Sequence, residues 1–420
     1  MTEPLSRRDF LGRLGAGSAA VAGGYLLATW EWTGPASAGA PRPGELADPS
    51  PGRTLVVVEL AGGNDGFNTV VPHADPAYHA SRPTLGVTDP IDLDGQVGLH
   101  PKLPKLAARY HAGQVAIVEG LGYTPPNLSH FASLAVWWTA DHPSTGIGWL
   151  GTYLDGTVGY DDPLAAIAVG GQPAPALLGQ RSFATTITDA SGLQPRLPAW
   201  AGTPEALLAS WAHLAPSRVD ARQLVGQVER AVGLSARART SLGQVLGGDT
   251  AAPARAAGGV AGQGTVGESL ALAARLIGSP LAPRVVYVTG VGDFDVHEGE
   301  ATRQPTLLSE LDDGIDGLFT DLGDAAGRVL VMTTSEFGRR PAENGSGTDH
   351  GTANTQFLIG PRVKGGRYGE PPSLTNLDAT RNVVPTVDFR SLYATGLSWL
   401  GVQDTAAALG GHFDAVPALT

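Results

Sequence analysis

The chain carries two alternating hydrophobic patterns. Thr54-Leu55-Val56-Val57-Val58-Glu59-Leu60 is a nearly unbroken apolar and β-branched run, as expected of a strand buried on both faces. Runs of the same character recur at 114–121, 164–169, 284–289 and 328–333, with a sixth at 355–359. Helical periodicity falls at 103–111, 204–214, 221–246, 268–277 and 307–322. Residues 389–400 read as an amphipathic closing helix whose Leu392, Leu397 and Leu400 are core positions. Strands alternating with helices predict an α/β domain, its sheet covered by helices on both faces, over residues 54–410. Within it the Ala/Gly-rich stretch 247–267 has little pattern and reads as a mobile loop. The Pro/Gly-rich residues 41–53 read as a flexible leader.

The N-terminus adds an address. Ser6-Arg7-Arg8-Asp9-Phe10-Leu11 fits the twin-arginine export consensus, with Gly12 where a Lys is frequent. A weakly apolar run from Leu14 to Leu27 follows, then two small-x-small cleavage candidates, Ala36-Ser37-Ala38 and Ala38-Gly39-Ala40. Residues 1–40 are therefore expected to be an export signal. The apolar run is glycine-diluted and shorter than the ~20 residues a membrane span needs. The expected location is beyond the cytoplasmic membrane, in the periplasm, the cell envelope or the medium, with the twin-arginine translocase as a partner during export. The net charge of −12 argues against nucleic acid as a partner, because that surface calls for a basic face. There is no cysteine, which excludes disulfides, thiolate metal sites and thiol nucleophiles. Any bound metal must be held by His, Asp, Glu or backbone.

In an open α/β sheet, ligands bind beyond the carboxyl ends of the strands, and acidic and imidazole residues recur there. Asn64-Asp65 follows the first strand run; the Asp serves either as a turn former or as a ligand. Ser129-His130 follows the second, where the serine is a helix cap, a nucleophile, or both. Asp295 and His297 follow the fourth, spaced by two, so that in extended chain both reach one ion. Such a pair suits Zn, Mn or Mg better than a soft metal. Glu336 follows the fifth and has Arg339 nearby as a plain ion-pair partner. Asp349-His350 lies in a glycine-flanked turn before the sixth. Trp137, Trp138 and Trp149 read as packing or a pocket wall.

Taken together, these segments resemble a large bacterial family of twin-arginine-exported proteins of unknown function. That family is placed in the alkaline-phosphatase and sulfatase-like superfamily. The marks are Glu59-Leu60-Ala61-Gly62-Gly63-Asn64-Asp65-Gly66, Asn127-Leu128-Ser129-His130-Phe131, Phe294-Asp295-Val296-His297, Ser335-Glu336-Phe337-Gly338-Arg339 and Gly347-Thr348-Asp349-His350-Gly351. They run through the chain from about Leu55 to Leu400. The resemblance implies a three-layer, alkaline-phosphatase-like sandwich around a mostly parallel sheet. It also implies a hydrolase of phosphate or sulfate esters, small or polymeric, that uses divalent metal (Zn, Mn, Mg or Ca). Ser129 is the implied nucleophile, with Arg339 beside it in the catalytic set. Asp295, His297 and His350 are the implied ligands of one metal, and Asp65 and Glu336 those of a second. His130, Asn64 and Asp349 are accessory. The chain departs from the superfamily at Phe337, which stands where the second metal has a histidine. A non-catalytic envelope protein that keeps the fold and a partial metal site is the alternative.

Overall fold

The computed structural model describes residues 46, 52–141, 144, 146–157, 162–187, 224–247 and 265–420. The export signal at 1–40, most of the leader, the helix expected at 204–214 and most of the stretch 247–267 lie outside the described residues.

A central sheet organises the rest. Its strands are β1 (Thr54–Leu60), β2 (Val115–Gly122), β3 (Ala166–Val169), β4 (Thr185–Ile187), β5 (Val285–Val291) and β6 (Val329–Thr334). After a hairpin of β7 (Gly338–Glu343) and β8 (Thr348–Gly351) come β9 (Asn354–Ile359), β10 (Gly366–Tyr368) and β11 (Val387–Asp388). The spatial order is β10-β2-β9-β6-β1-β5-β3-β4, with β11 also on β2. Only β9 runs against its neighbours; the other pairings in the sheet are parallel. The five strand runs that follow β1 in the sequence reading appear as β2, β3, β5, β6 and β9.

The first strand run becomes the centre of this sheet. Val57 lies between Tyr287 of β5 and Met332 of β6, and all seven β1 residues are buried. Their alternation splits the core in two. Val56, Val58 and Leu60 face a layer made of α1 (Pro104–His111), α4 (Leu224–Leu246), α5 (Val266–Gly278) and α6 (Glu300–Leu322). Leu55 and Val57 face α2 (His130–Thr139), α3 (Trp149–Thr157) and α7 (Arg390–Trp399). This is the α/β sandwich expected, helix on sheet on helix.

Local chemistry explains the helix starts. Thr265 and Glu268 form a reciprocal capping box at α5. The tryptophans pack as the sequence suggested: Trp149 stacks on Tyr393 at 4.1 Å and Trp137 lies against Phe389 at 4.5 Å. Among the described residues, no helix is long and apolar enough to cross a membrane.

Candidate metal centre

The parallel strands deliver their C-terminal loops to one edge. From β5 comes the turn with Asp295 and His297; from β6 comes Ser335-Glu336; from the β7–β8 hairpin comes His350; from the start of α2 comes His130. These loops touch so closely that side chains are excluded. A Cβ on Gly62 would lie 2.3 Å from the Asp295 nitrogen, and one on Gly63 would lie 2.3 Å from the Phe337 ring. Both glycines also have positive φ.

Three imidazoles converge on Asp295. His350 Nε2 is 3.1 Å and His297 Nε2 2.9 Å from its Oδ1. His130 Nε2 is 3.2 Å from its Oδ2. The two nitrogens of His297 and His350 are themselves 2.9 Å apart. The far side of each ring is tied to oxygen. His350 Nδ1–H donates to the Leu128 carbonyl at 2.8 Å, and His130 Nδ1–H to Glu336 Oε1 at 2.9 Å. His297 Nδ1 lies 3.6 Å from Asp349. Because a carbonyl only accepts, His350 in its neutral form presents a lone pair at Nε2. Lone pairs of His350 and Asp295 at 3.1 Å repel unless a proton or cation lies between them.

A divalent cation fits this donor set. Ligand atoms 2.9–3.1 Å apart approach the edge of a tetrahedron with ~2.0 Å arms, about 3.3 Å. His130, Asp295 and His350 each offer one ligand atom within 4.8 Å of the others. Carbonyl and carboxylate partners on the outer nitrogens are the usual support of ligating histidines.

The electrostatics agree. Burial tends to raise the Asp295 carboxyl, but the contact with His350 and the hydrogen bond and charge of Arg339 outweigh it and hold it at about 2. The hydrogen bond to Glu336 raises His130, whereas burial lowers His350. Asp295 is thus biased to its anionic form and His350 to its neutral form, as a metal requires, whereas His130 must give up the proton that Glu336 favours before it can ligate.

The structure corrects several roles. Asp65 stands outside the cluster: its carboxylate caps the short helical turn Gly66–Thr69 and pairs with the buried Arg82 guanidinium. Glu336 lies behind His130, on the side of the ring away from Asp295, and also accepts from the Gly62 nitrogen at 2.9 Å. The ion pair weighed between Glu336 and Arg339 is replaced by one from Arg339 to Asp295 at 2.9 Å. The rest of that guanidinium donates to the carbonyls of Gly62, Gly63, Phe294 and Thr348. Arg339 thus reaches the centre only through Asp295, as a positioning residue.

Asn64 is fully buried and turned toward Thr69 and Gln304. Asp349 accepts from Asn344 at 2.9 Å behind His297. Ser129 is exposed at the N-cap of α2 and makes no side-chain capping bond. His130, an accessory residue in the sequence reading, is in the cluster. Phe337, read as a missing ligand, is a buried ring 4.9 Å from His130 and 4.3 Å from His350, packed against both. Glu59 escaped the sequence reading; it fastens α2 to the end of β1 by accepting from Trp138 Nε1 at 2.6 Å and from the Tyr287 hydroxyl at 2.7 Å. Its signs in the sequence were its charge inside the first strand run and its place at the head of the first family motif.

With this geometry in hand, the sequence comparison is decisive. Residues 52–415 match the model of a family described as "Protein of unknown function (DUF1501)". The chain belongs to this DUF1501 family. The match includes the whole span from Leu55 to Leu400 that the motifs assigned to the family resemblance. No curated protein sequence matches the chain.

Solved structures similar to this DUF1501 chain are distant. One is a protein in the alkaline phosphatase superfamily from Vibrio parahaemolyticus (TM-score 0.38, 10% identity, 97% of this chain and 78% of that one). Another is the lipoteichoic acid synthase LtaP from Listeria monocytogenes (TM-score 0.35, 9% identity, 75% and 67%). A third is the alkaline phosphatase from the Antarctic bacterium TAB5 (TM-score 0.33, 11% identity, 84% and 99%).

Two outcomes are expected. Glu336→Gln weakens divalent-metal binding by about 10–100-fold, the usual effect of losing a ligand's outer partner; calorimetric titration checks it, and an unchanged Kd contradicts it. The second concerns Glu300, whose carboxyl accepts from Asn68 and Thr348. Burial, reinforced by the Asp65 charge, raises it from 4.5 to about 9. The folded protein holds this proton where the unfolded chain releases it, so stability falls as pH rises through that window. Glu300→Gln mimics the protonated form. Its stability relative to wild type in urea denaturation should climb from pH 5.5 to pH 8.5, conditions inside that window; a pH-independent difference contradicts the assignment.

Proposed function

We propose that this chain is an exported, metal-dependent hydrolase of phosphate or sulfate esters. The observation that carries the reading is the convergence of the His130, His297 and His350 Nε2 atoms on Asp295, with the outer nitrogens of His130 and His350 anchored to oxygen. These four residues hold the cation. When bound, it supplies Lewis-acid charge to the ester oxygens. Ser129 supports the hydrolase reading by position. It adjoins His130, its hydroxyl is not spent on capping, and it sits at the positive end of α2. In this reading Ser129 Oγ gives up its proton and attacks phosphorus or sulfur in line, the leaving oxygen departs as the protonated alcohol, and water then hydrolyses the serine ester, releasing phosphate or sulfate and restoring the hydroxyl. The twin-arginine motif Ser6–Leu11 supports export of the chain already folded, with the translocase as its partner in transit. Residues 1–40 are removed or retained as an anchor beyond the cytoplasmic membrane.

The test uses protein recovered after export. Its metal content is measured, followed by turnover of aryl phosphates, phosphodiesters and aryl sulfates before and after chelation. Turnover of at least one class, lost on chelation and restored by metal, is expected. Ser129→Ala should abolish the covalent intermediate and keep the metal; His350→Ala should lose the metal. Metal-loaded protein without turnover on any ester makes the chain an envelope binding protein instead.

A further inference from the structure

Carboxylates at this edge of the sheet fall into two chemical kinds. Asp295 Oδ1 accepts from Arg339 at 2.9 Å, but both its oxygens also face imidazole nitrogens, Oδ2 meeting His130 Nε2 at 3.2 Å; among them His350 Nε2 presents a lone pair, fixed by the Leu128 carbonyl behind its ring. The others face hydrogen-bond donors. Asp65 Oδ1 accepts from the Phe67 and Asn68 nitrogens and from Arg82 Nη2, and Oδ2 accepts from Arg82 Nη1. Arg82 is held there by the Arg340 and Pro341 carbonyls. The side chains of this pair are 0% and 2% exposed. Glu59 Oε2 is taken by an indole N–H and a phenol, and Glu336 Oε1 by a backbone N–H and His130.

A metal needs lone pairs aimed at a common point; a carboxylate wrapped in N–H groups has none to give. Arg82 engages both oxygens of Asp65, whereas Arg339 takes only Oδ1 of Asp295 and leaves Oδ2 to His130. Arg82 is therefore a fixed cation on Asp65.

We propose that the centre is mononuclear. It takes one borderline transition-metal ion such as zinc on His130, Asp295, His297 and His350, and Asp65 takes none because Arg82 occupies it. Three imidazoles and one carboxylate select Zn or Co over Mg or Ca, which demand mostly oxygen. Phe337 fits the same assignment. Its ring fills the space between Gly63, His130 and His350, so it holds two ligands in place instead of marking a lost one. This inference rests on the metal-centre reading above and narrows it to one ion of one class.

The test is binding, independent of turnover. The full-length chain, recovered after export and stripped with chelator, is titrated with Zn²⁺, Co²⁺, Mg²⁺ and Ca²⁺ by calorimetry and native mass spectrometry. The expected result is one Zn²⁺ or Co²⁺ per chain, with visible Co²⁺ absorption that disappears in His130→Ala and His350→Ala. Asp65→Asn should keep one ion with Kd within about twofold, as for sites that share no partner. Two ions per chain, preferential Mg²⁺ or Ca²⁺ binding, or loss of the ion in a folded Asp65→Asn protein overturns the proposal. If Asp65→Asn does not fold, the wild-type stoichiometry decides alone. One ion without ester turnover leaves this inference standing and removes the hydrolase reading; two ions with turnover do the reverse.

Discussion

The buried guanidinium of Arg339 is the point on which the rest of this edge depends. Stripped of water, an unpaired charge costs several kcal/mol, so the fold must surround it with acceptors. It does so with the carbonyls of Gly62, Gly63, Phe294 and Thr348 and with Asp295 Oδ1. Those acceptors come from the loop after β1, the loop after β5 and the β7–β8 hairpin. Satisfying one cation therefore brings together three segments that are remote in sequence, and the imidazoles of His297 and His350 arrive with them. The closeness explains the glycines: Gly62 and Gly63 lend carbonyls to Arg339 while their Cα atoms press on Asp295 and Phe337.

Around that anchor the charges are sorted. Asp295 is kept anionic by donors on one oxygen and imidazoles on both. Asp65 is also kept anionic, but by Arg82. Glu300, close to Asp65, remains protonated because burial disfavours its charge and the Asp65 carboxylate adds to that penalty. Fixed guanidinium charge and a retained proton thus neutralise the interior, and the imidazole cluster is left facing solvent through His297, whose side chain is 41% exposed.

Much of this was legible in the sequence, for identifiable reasons. Buried parallel strands must be apolar on both faces, so the β1 run and its counterparts could be read directly. The spacing of Asp295 and His297 put the two side chains on one side of the chain without knowledge of the fold, and they meet at 2.9 Å. What failed to show was direction. Nothing in Asn127-Leu128-Ser129-His130 says that the His130 ring turns inward until Glu336 lies behind it. Nothing in the sequence links Asp65 to Arg82, since their meeting depends on how the two short helices between them, Gly66–Thr69 and Pro76–Ser81, fold back. The β7 strand is not foreshadowed because Arg339-Arg340-Pro341-Ala342-Glu343 lacks an apolar rhythm; its partner is the short polar β8, and its anchoring is that of Arg339. Phe337 looked like an absence because only its place in a motif was visible, not the two rings against which it packs.

The central position of β1 also bears on how the molecule is made. Val57 pairs with Tyr287 on one side and Met332 on the other, so the earliest strand of the central sheet among the described residues must wait for partners more than two hundred residues further on. Until most of the chain has emerged, an apolar ribbon must wait unpaired behind the N-terminal segment. Contacts of such long range fold slowly. The imidazole cluster, drawn from the loops around that ribbon, comes into being only when the waiting ends, so a formed centre reports an assembled sheet.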